Sequence, residues 1–275
     1  MKTRIITAIV AVAVFLPFVI FSDTFAWLIA IGVIAEVSCY ELLRCLSLHK
    51  CLPIAIPSYI AMLGVVLLTR LTSCIENFYI CSFAIYFAYI FYVITAAMFS
   101  KGKIKITEAA LMCCMMIYIT FGYSSLILLR DMNNGFHLML LAIIVPWLYD
   151  GGAYFSGYLL GKHKLIPDIS PKKTVEGTVG GVIIGTLAMT AYPFIFVPDA
   201  VKNIPAFIIV GIIVCAISQC GDLIMSYIKR HYGIKDYGNI LPGHGGFLDR
   251  FDSILPTAAA MVILFSLSEF FVLLK

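Results

Sequence analysis

Asp222, Ser226 and Lys229 follow one another at i, i+4 and i+7 in "SQCGDLIMSYIKRHYGIKDYGNILPGHGGFLDRFDS". If the helix before them continues through this stretch, they share one face. Arg230, Lys235, Asp236, His244, Asp249, Arg250 and Asp252 come next; Asp249 and Asp252 are three apart and neighbours if helical. Between these groups, Pro242, Gly243, Gly245 and Gly246 make a compact loop whose backbone N–H groups can approach an anion closely. Carboxylates, cations and a Gly-rich turn suit a magnesium-bound polyphosphate. Mg²⁺ takes oxygen ligands, commonly one or two carboxylates with phosphate and water. Phosphoryl and nucleotidyl transfer then depend on positioning and charge neutralisation more than on covalent help from the protein.

Two further clusters carry polar chemistry. In "SPKKTVEG", Ser170-Pro171 reads as a turn, with Lys172, Lys173 and Thr174 entering the next helix. Adjacent Lys are commonly only topogenic charge; beside hydroxyls and free amides they also suit phosphate oxygens. In "WLYDGGAYFSGYLLGKHKL", Asp150 falls deep in an apolar run, where only a protein-lined or hydrated cavity makes an acid tolerable. Ala153, Gly157 and Gly161 recur every four residues, as do Gly177, Gly181 and Gly185. Both series read as close helix packing.

The elements that must position these groups are apolar helices. The chain is 62% hydrophobic and 12% charged, against about 25% charged for a soluble domain. Its apolar blocks reach the roughly 20 residues that a membrane helix needs. They run solid rather than alternating, so the expected fold is all-α and polytopic, not a barrel. Nine spans are expected, near 5–21, 25–43, 52–69, 78–99, 108–129, 137–160, 178–197, 204–225 and 254–274. The first reads as a span rather than a cleaved signal, since no small-x-small site follows it and a second span comes at once.

With the N-terminus cytoplasmic, the inner loops collect Lys2, Arg4, Arg44, Lys50, Lys101, Lys103, Lys105, Lys162, Lys164, Lys172, Lys173, Lys229, Arg230, Lys235 and Arg250. The outer side keeps Arg70, Arg130, Lys202 and Lys275. That bias fixes the expected orientation and puts the polar clusters on the cytoplasmic side of a cell membrane. Most of the basic face serves anionic lipid. The nine Cys show no metal or disulfide spacing and read as small apolar residues.

The character of the chain shifts near residue 137. Residues 1–136 read as scaffold helices without a recognisable motif, and residues 137–275 as the catalytic membrane region. Glu36 and Glu41 are the exceptions in the first stretch. Glu36 reads as a cavity residue or a packed hydrogen bond, and Glu41, beside Arg44, as an interfacial acid. Glu269 lies towards the outer end of the last span.

The run from Ser226 to Asp252 resembles the signature of the bacterial phosphatidate cytidylyltransferase (CDP-diglyceride synthase) family. Ser226, Lys229, Arg230, Lys235, Asp236, Gly238, Pro242, His244, Gly245, Gly246, Asp249, Arg250 and Asp252 fill its fixed positions without departure. "GAYFSGYLLGKHKL" and "SPKKTVEG" also resemble stretches of that family, so the resemblance covers the second half of the chain. It implies CMP transfer from CTP to phosphatidate, giving CDP-diacylglycerol and diphosphate, with Mg²⁺ and K⁺ as a candidate second cation. It implies Asp222 and Asp249 as the metal carboxylates, with Ser226 beside them, and Lys229, Arg230, Lys235 and Arg250 on phosphates. Lys172 and Lys173, with Ser170 and Thr174 beside them, would hold diphosphate or the lipid phosphate. Gly245 and Gly246 would line the substrate, and a homodimer is the implied assembly.

His244 reads as a hydrogen-bonding or loop-ordering residue rather than a base, because a phosphate monoester is already largely ionised at neutral pH. Asp236 and Asp252 adjoin cations in sequence and orient them. Asp150 supports the site as a ligand or a nucleotide contact. Membrane lipid is the expected environment, and nothing points to nucleic acid. Two alternatives remain: a CTP-dependent polyprenol kinase and, behind it, a transporter, whose coupling acids would lie near the midplane of repeated halves. The DGxxAR run of CDP-alcohol phosphotransferases is absent.

Overall fold

A computed structural model of the chain describes residues 2–72, 75–198 and 203–271. Lys202 and Lys275, and the side chains of Lys2, Arg4 and Glu269, lie outside the described residues, and with them those parts of the charge and acid reading. The helices are α1 (Lys2–Ile20), α2 (Phe25–Cys45), α3 (Leu52–Leu71), α4 (Ile75–Phe99), α5 (Ile106–Asp131), α6 (Gly135–Leu160), α7 (Val175–Phe196), α8 (Ile204–His231), α9 (Leu248–Phe251) and α10 (Ile254–Phe271). Each expected span coincides with one of them. Among the described residues, the seven helices α2 to α8 are long and apolar enough to cross a membrane. α1 and α10 contribute shorter apolar stretches, Ile9–Ile20 and Ile254–Leu267. Phe83, Phe87 and Phe91 of α4 point outward and are exposed, as suits a helix whose outer face meets lipid.

One element departs from the all-helical expectation. β1 (Lys164–Ile166) pairs antiparallel with β2 (Ser170–Thr174). Lys172 and Lys173 therefore lie on a strand and not in the first turn of a helix. The reason is local: Thr174 has extended backbone geometry, and its Oγ1 accepts the Gly177 N–H, so it is the N-cap and α7 starts only after it. The Glu176 carboxylate accepts the N–H groups of Lys162 and His163 and lies 2.6 Å from His163 Nδ1, fixing the chain as it enters β1.

The chain forms two compact units, Met1–Ile127 with His231–Phe251, and Leu128–Arg230 with Asp252–Lys275. They are not collinear with the change of character at residue 137. That change is one of residue chemistry, whereas the units follow packing: the loop after α8 folds onto the first unit. There Trp27, Ile31, Leu42, Ile54, Met62, Met112 and Tyr123 are fully buried. Ser38 Oγ meets Tyr123 Oη at 2.6 Å, Ser58 Oγ meets Tyr89 Oη at 2.8 Å, and the Arg70 guanidinium donates to the Ser22 and Thr24 carbonyls. These bonds satisfy polar groups that apolar surroundings would otherwise penalise.

In the second unit α6 packs along α7, and α10 lies on α6. The two small-residue series are what let α6 and α7 approach. A Cβ on Gly177 would lie 2.7 Å from the Ala153 carbonyl oxygen, and one on Gly181 only 2.8 Å from Tyr149 Cε2. Neither backbone nor a packed ring can yield cheaply. Gly181→Ala should therefore destabilise the protein by about 1–3 kcal/mol, the usual range for overpacking. The measurement is thermal unfolding in detergent, and an unchanged midpoint would refute the packing.

Candidate active site

In the second unit, α8 continues as helix to His231, so Asp222, Ser226 and Lys229 do share a face. Ser226 Oγ donates to Asp222 Oδ1 at 3.1 Å, and Lys173 Nζ lies 2.5 Å from Asp222 Oδ2. β2 thus delivers a cation to a carboxylate on α8. Lys229 is buried, 7% exposed. Asp252 is half-buried beside it. Burial and then the Asp222 and Asp150 charges push the Asp252 carboxyl up to about 7, while Lys229 pulls the other way.

Asp252 thus lies within the field of Lys229. Asp150 is exposed. Lys172 is exposed, and Arg230 Nε donates to the Ile169 carbonyl at 3.5 Å in the turn between β1 and β2. A network absent from the sequence reading lies farther up these helices: Tyr149 Oη donates to Gln219 Oε1, and Gln219 Nε2 donates to Thr178 Oγ1 at 3.0 Å.

In the first unit, the loop between α8 and α9 encloses a cavity of about 540 Å³ lined by residues including Lys235, Asp236, Asn239, His244, Gly245 and Arg250. Lys235, Asp236 and Arg250 are exposed at its rim. His244 Nδ1 is buried without a hydrogen-bond partner among the described residues, while the His244 N–H donates to the Leu241 carbonyl at 2.8 Å. A buried ring nitrogen with no partner in a cavity edged by two cations is chemistry that would receive a polar, anionic ligand.

Four of the loop's backbone amides are taken by the protein's own acids. Asp249 Oδ2 accepts Tyr237 N–H at 2.8 Å and Gly246 N–H at 3.0 Å. Glu41 accepts the next two amides, Phe247 N–H at 3.1 Å on Oε1 and Leu248 N–H at 2.8 Å on Oε2. The loop does form an amide cradle for carboxylates, but the protein's own acids occupy it. Gly246 therefore does not offer its N–H to substrate. Gly245, at φ +86°, brings the chain so close to Asp249 that a Cβ would lie 2.9 Å from Oδ2. Thr174, expected beside substrate, is buried as the cap of α7.

Glu41, expected at an interface, is buried, and only its rank among rare intramembrane acids could have marked it. Glu36 carries a buried Oε1 with no hydrogen-bond partner among the described residues and does not line the cavity. No disulfide links the described cysteines.

Long apolar helices that carry clustered carboxylates, hydroxyls and cations have the make-up expected of a membrane-type enzyme for phosphorylated substrates. Comparison with known proteins makes that class specific. The model of the cytidylyltransferase family matches residues 2–268. The chain is 36% identical over 259 residues to the phosphatidate cytidylyltransferase of Staphylococcus haemolyticus, covering 93% of this chain and 95% of that protein. It is 37% identical over 262 residues to that of Staphylococcus saprophyticus and 33% identical over 255 residues to that of Staphylococcus aureus, with the same coverage. The chain belongs to the cytidylyltransferase family. The match includes the first half, where the sequence alone carried no motif.

Proposed function

We propose that the chain is a phosphatidate cytidylyltransferase, transferring CMP from CTP to phosphatidate with release of diphosphate. The observation that carries this reading is likeness over 93% of the chain to proteins of that name. The Asp222–Ser226–Lys173 cluster and the cavity edged by Lys235 and Arg250 support it. An oxygen of the phosphatidate monoester attacks the α-phosphorus of CTP as the bond to the β-phosphate oxygen breaks. No proton need be removed from the nucleophile.

Among the described residues no group of three or more His, Cys, Asp and Glu side chains converges as a metal site. The Asp222 carboxylate with the Ser226 hydroxyl at 3.1 Å fits Mg²⁺, which usually binds one or two carboxylates and takes its other ligands from phosphates and water. Asp222 and Ser226 would hold it, and Asp249 is the second proposed carboxylate by its place in the signature. Bound there, the cation would neutralise phosphate charge, with K⁺ as the proposed second ion. Lys173 holds Asp222 and is a proposed contact to diphosphate or the lipid phosphate. Lys229, Arg230, Lys235 and Arg250 are the proposed phosphate contacts, and Lys172 the proposed contact to diphosphate or the lipid phosphate.

The proposal includes nine spans in the cell membrane, a cytoplasmic N-terminus and a site facing the cytoplasm. Support comes from the fifteen inner Lys and Arg counted above against four outer ones. The homodimer rests on the resemblance. The test is labelled CTP with phosphatidate and purified protein. Label should enter lipid and diphosphate appear, with both lost when Mg²⁺ is chelated. Release of CDP with a phosphorylated alcohol would replace this reading by the kinase.

His244→Ala should lower kcat/KM by about tenfold, the worth of roughly one hydrogen bond. A general base would cost about 10²–10⁴-fold. The pH–rate profile should keep its shape. Loss of a limb from that profile would make His244 the base.

A further inference from the structure

We propose that Glu41 of α2 is a positioning residue for the loop that carries Lys235, His244 and Arg250. It lies outside the signature, far back in the sequence, and is 1% exposed. Both of its carboxyl oxygens accept loop amides, those of Phe247 and Leu248. With Gly246 N–H on Asp249, three consecutive amides end on carboxyl oxygens. The loop's path is thereby fixed at the point where it becomes α9.

Two of the signature's small positions answer to this one side chain. A Cβ on Gly238 or on Gly246 would collide with Glu41, whose atoms are the three nearest neighbours in both cases. A side chain at 238 or at 246 would take the room that the Glu41 carboxyl group occupies. The same face of α2 supplies a second anchor. Ser38, three residues before Glu41, bonds Tyr123 Oη, and the Tyr123 ring lies 5.4 Å from that of Phe251 in α9. Leu248 between them is fully buried. Glu41 reaches substrate only through the loop, so it sets where the cationic side chains stand and makes no contact of its own.

The test uses the protein in detergent with Glu41→Gln, and with Gly238→Ala alone and in a Glu41→Asp background. Gln keeps one acceptor but turns an NH₂ group towards the other amide. Hydrogen exchange at residues 246–248 should quicken by about tenfold or more in Glu41→Gln, with α5 and α6 unchanged. The kinetic arm rests on the proposed cytidylyl transfer: KM for CTP should rise about tenfold with a smaller change in kcat, since positioning of the anion contacts is lost. Gly238→Ala should act in the same direction, but add no further loss in a Glu41→Asp background, where the shorter side chain makes room. Unchanged exchange in Glu41→Gln, or additive losses in the double variant, would overturn the proposal. If wild-type protein transfers no CMP, the proposed activity fails, while the exchange result still decides the role of Glu41.

Discussion

Asp222→Asn is expected to reduce CMP transfer by about 10³-fold or more, the scale seen when a group that stabilises developing phosphate charge is removed. The substitution keeps size, and an amide oxygen can still accept from Ser226. What it removes is the charge that holds Lys173 at 2.5 Å and would hold a cation. A stability effect must be separated from a catalytic one, and magnitudes do so. Both side chains of the pair are 23% exposed, so solvent screens them and the pair contributes about 1 kcal/mol or less. The variant should unfold within a few degrees of wild type and yet be nearly inactive. Turnover within tenfold of wild type would remove Asp222 from the reaction.

Asp249 is expected to behave differently, because the structure gives it two jobs. Asp249→Ala would leave the Tyr237 and Gly246 amides without their acceptor in a buried place, at about 1–3 kcal/mol each. A loss of about 2–6 kcal/mol in stability should accompany loss of nearly all turnover. Asp249→Asn separates the jobs. Its amide oxygen can take over from Oδ2 and keep the loop, but it cannot neutralise a cation. Near-native stability with activity down about 10²-fold or more supports the cation role. Near-native activity would leave Asp249 with the loop alone. An Ala variant as stable as wild type would contradict the loop geometry itself.

How far the sequence reached is clearest at three places. α8 was legible because a helix in an apolar setting must satisfy its own backbone, and the apolar run fixes where it lies. Asp222 and Ser226 then meet at i, i+4 by helix geometry alone. β2 was not legible. Ser-Pro-Lys-Lys-Thr has no alternation strong enough to mark a strand, and its pairing with β1 and the capping by Thr174 together decide the local structure. The amide cradle at 246–248 was half legible. The Gly-rich turn announced an anion site, but nothing local could say that the anion is a carboxyl of α2.

The sequence by itself determined the helices, the cluster of acids and cations, and a signature dense enough to give the family. Those features are local, or are carried by residue type at fixed spacing. Only the tertiary structure decided that Lys173 pairs with Asp222, that Glu41 and Asp249 fill the loop's amides, and that residues 231–251 pack with the first unit. Each depends on backbones distant in sequence coming within a few ångströms of one another. A side chain's role is then set by which buried donor or charge it must satisfy, and that partner is chosen by packing.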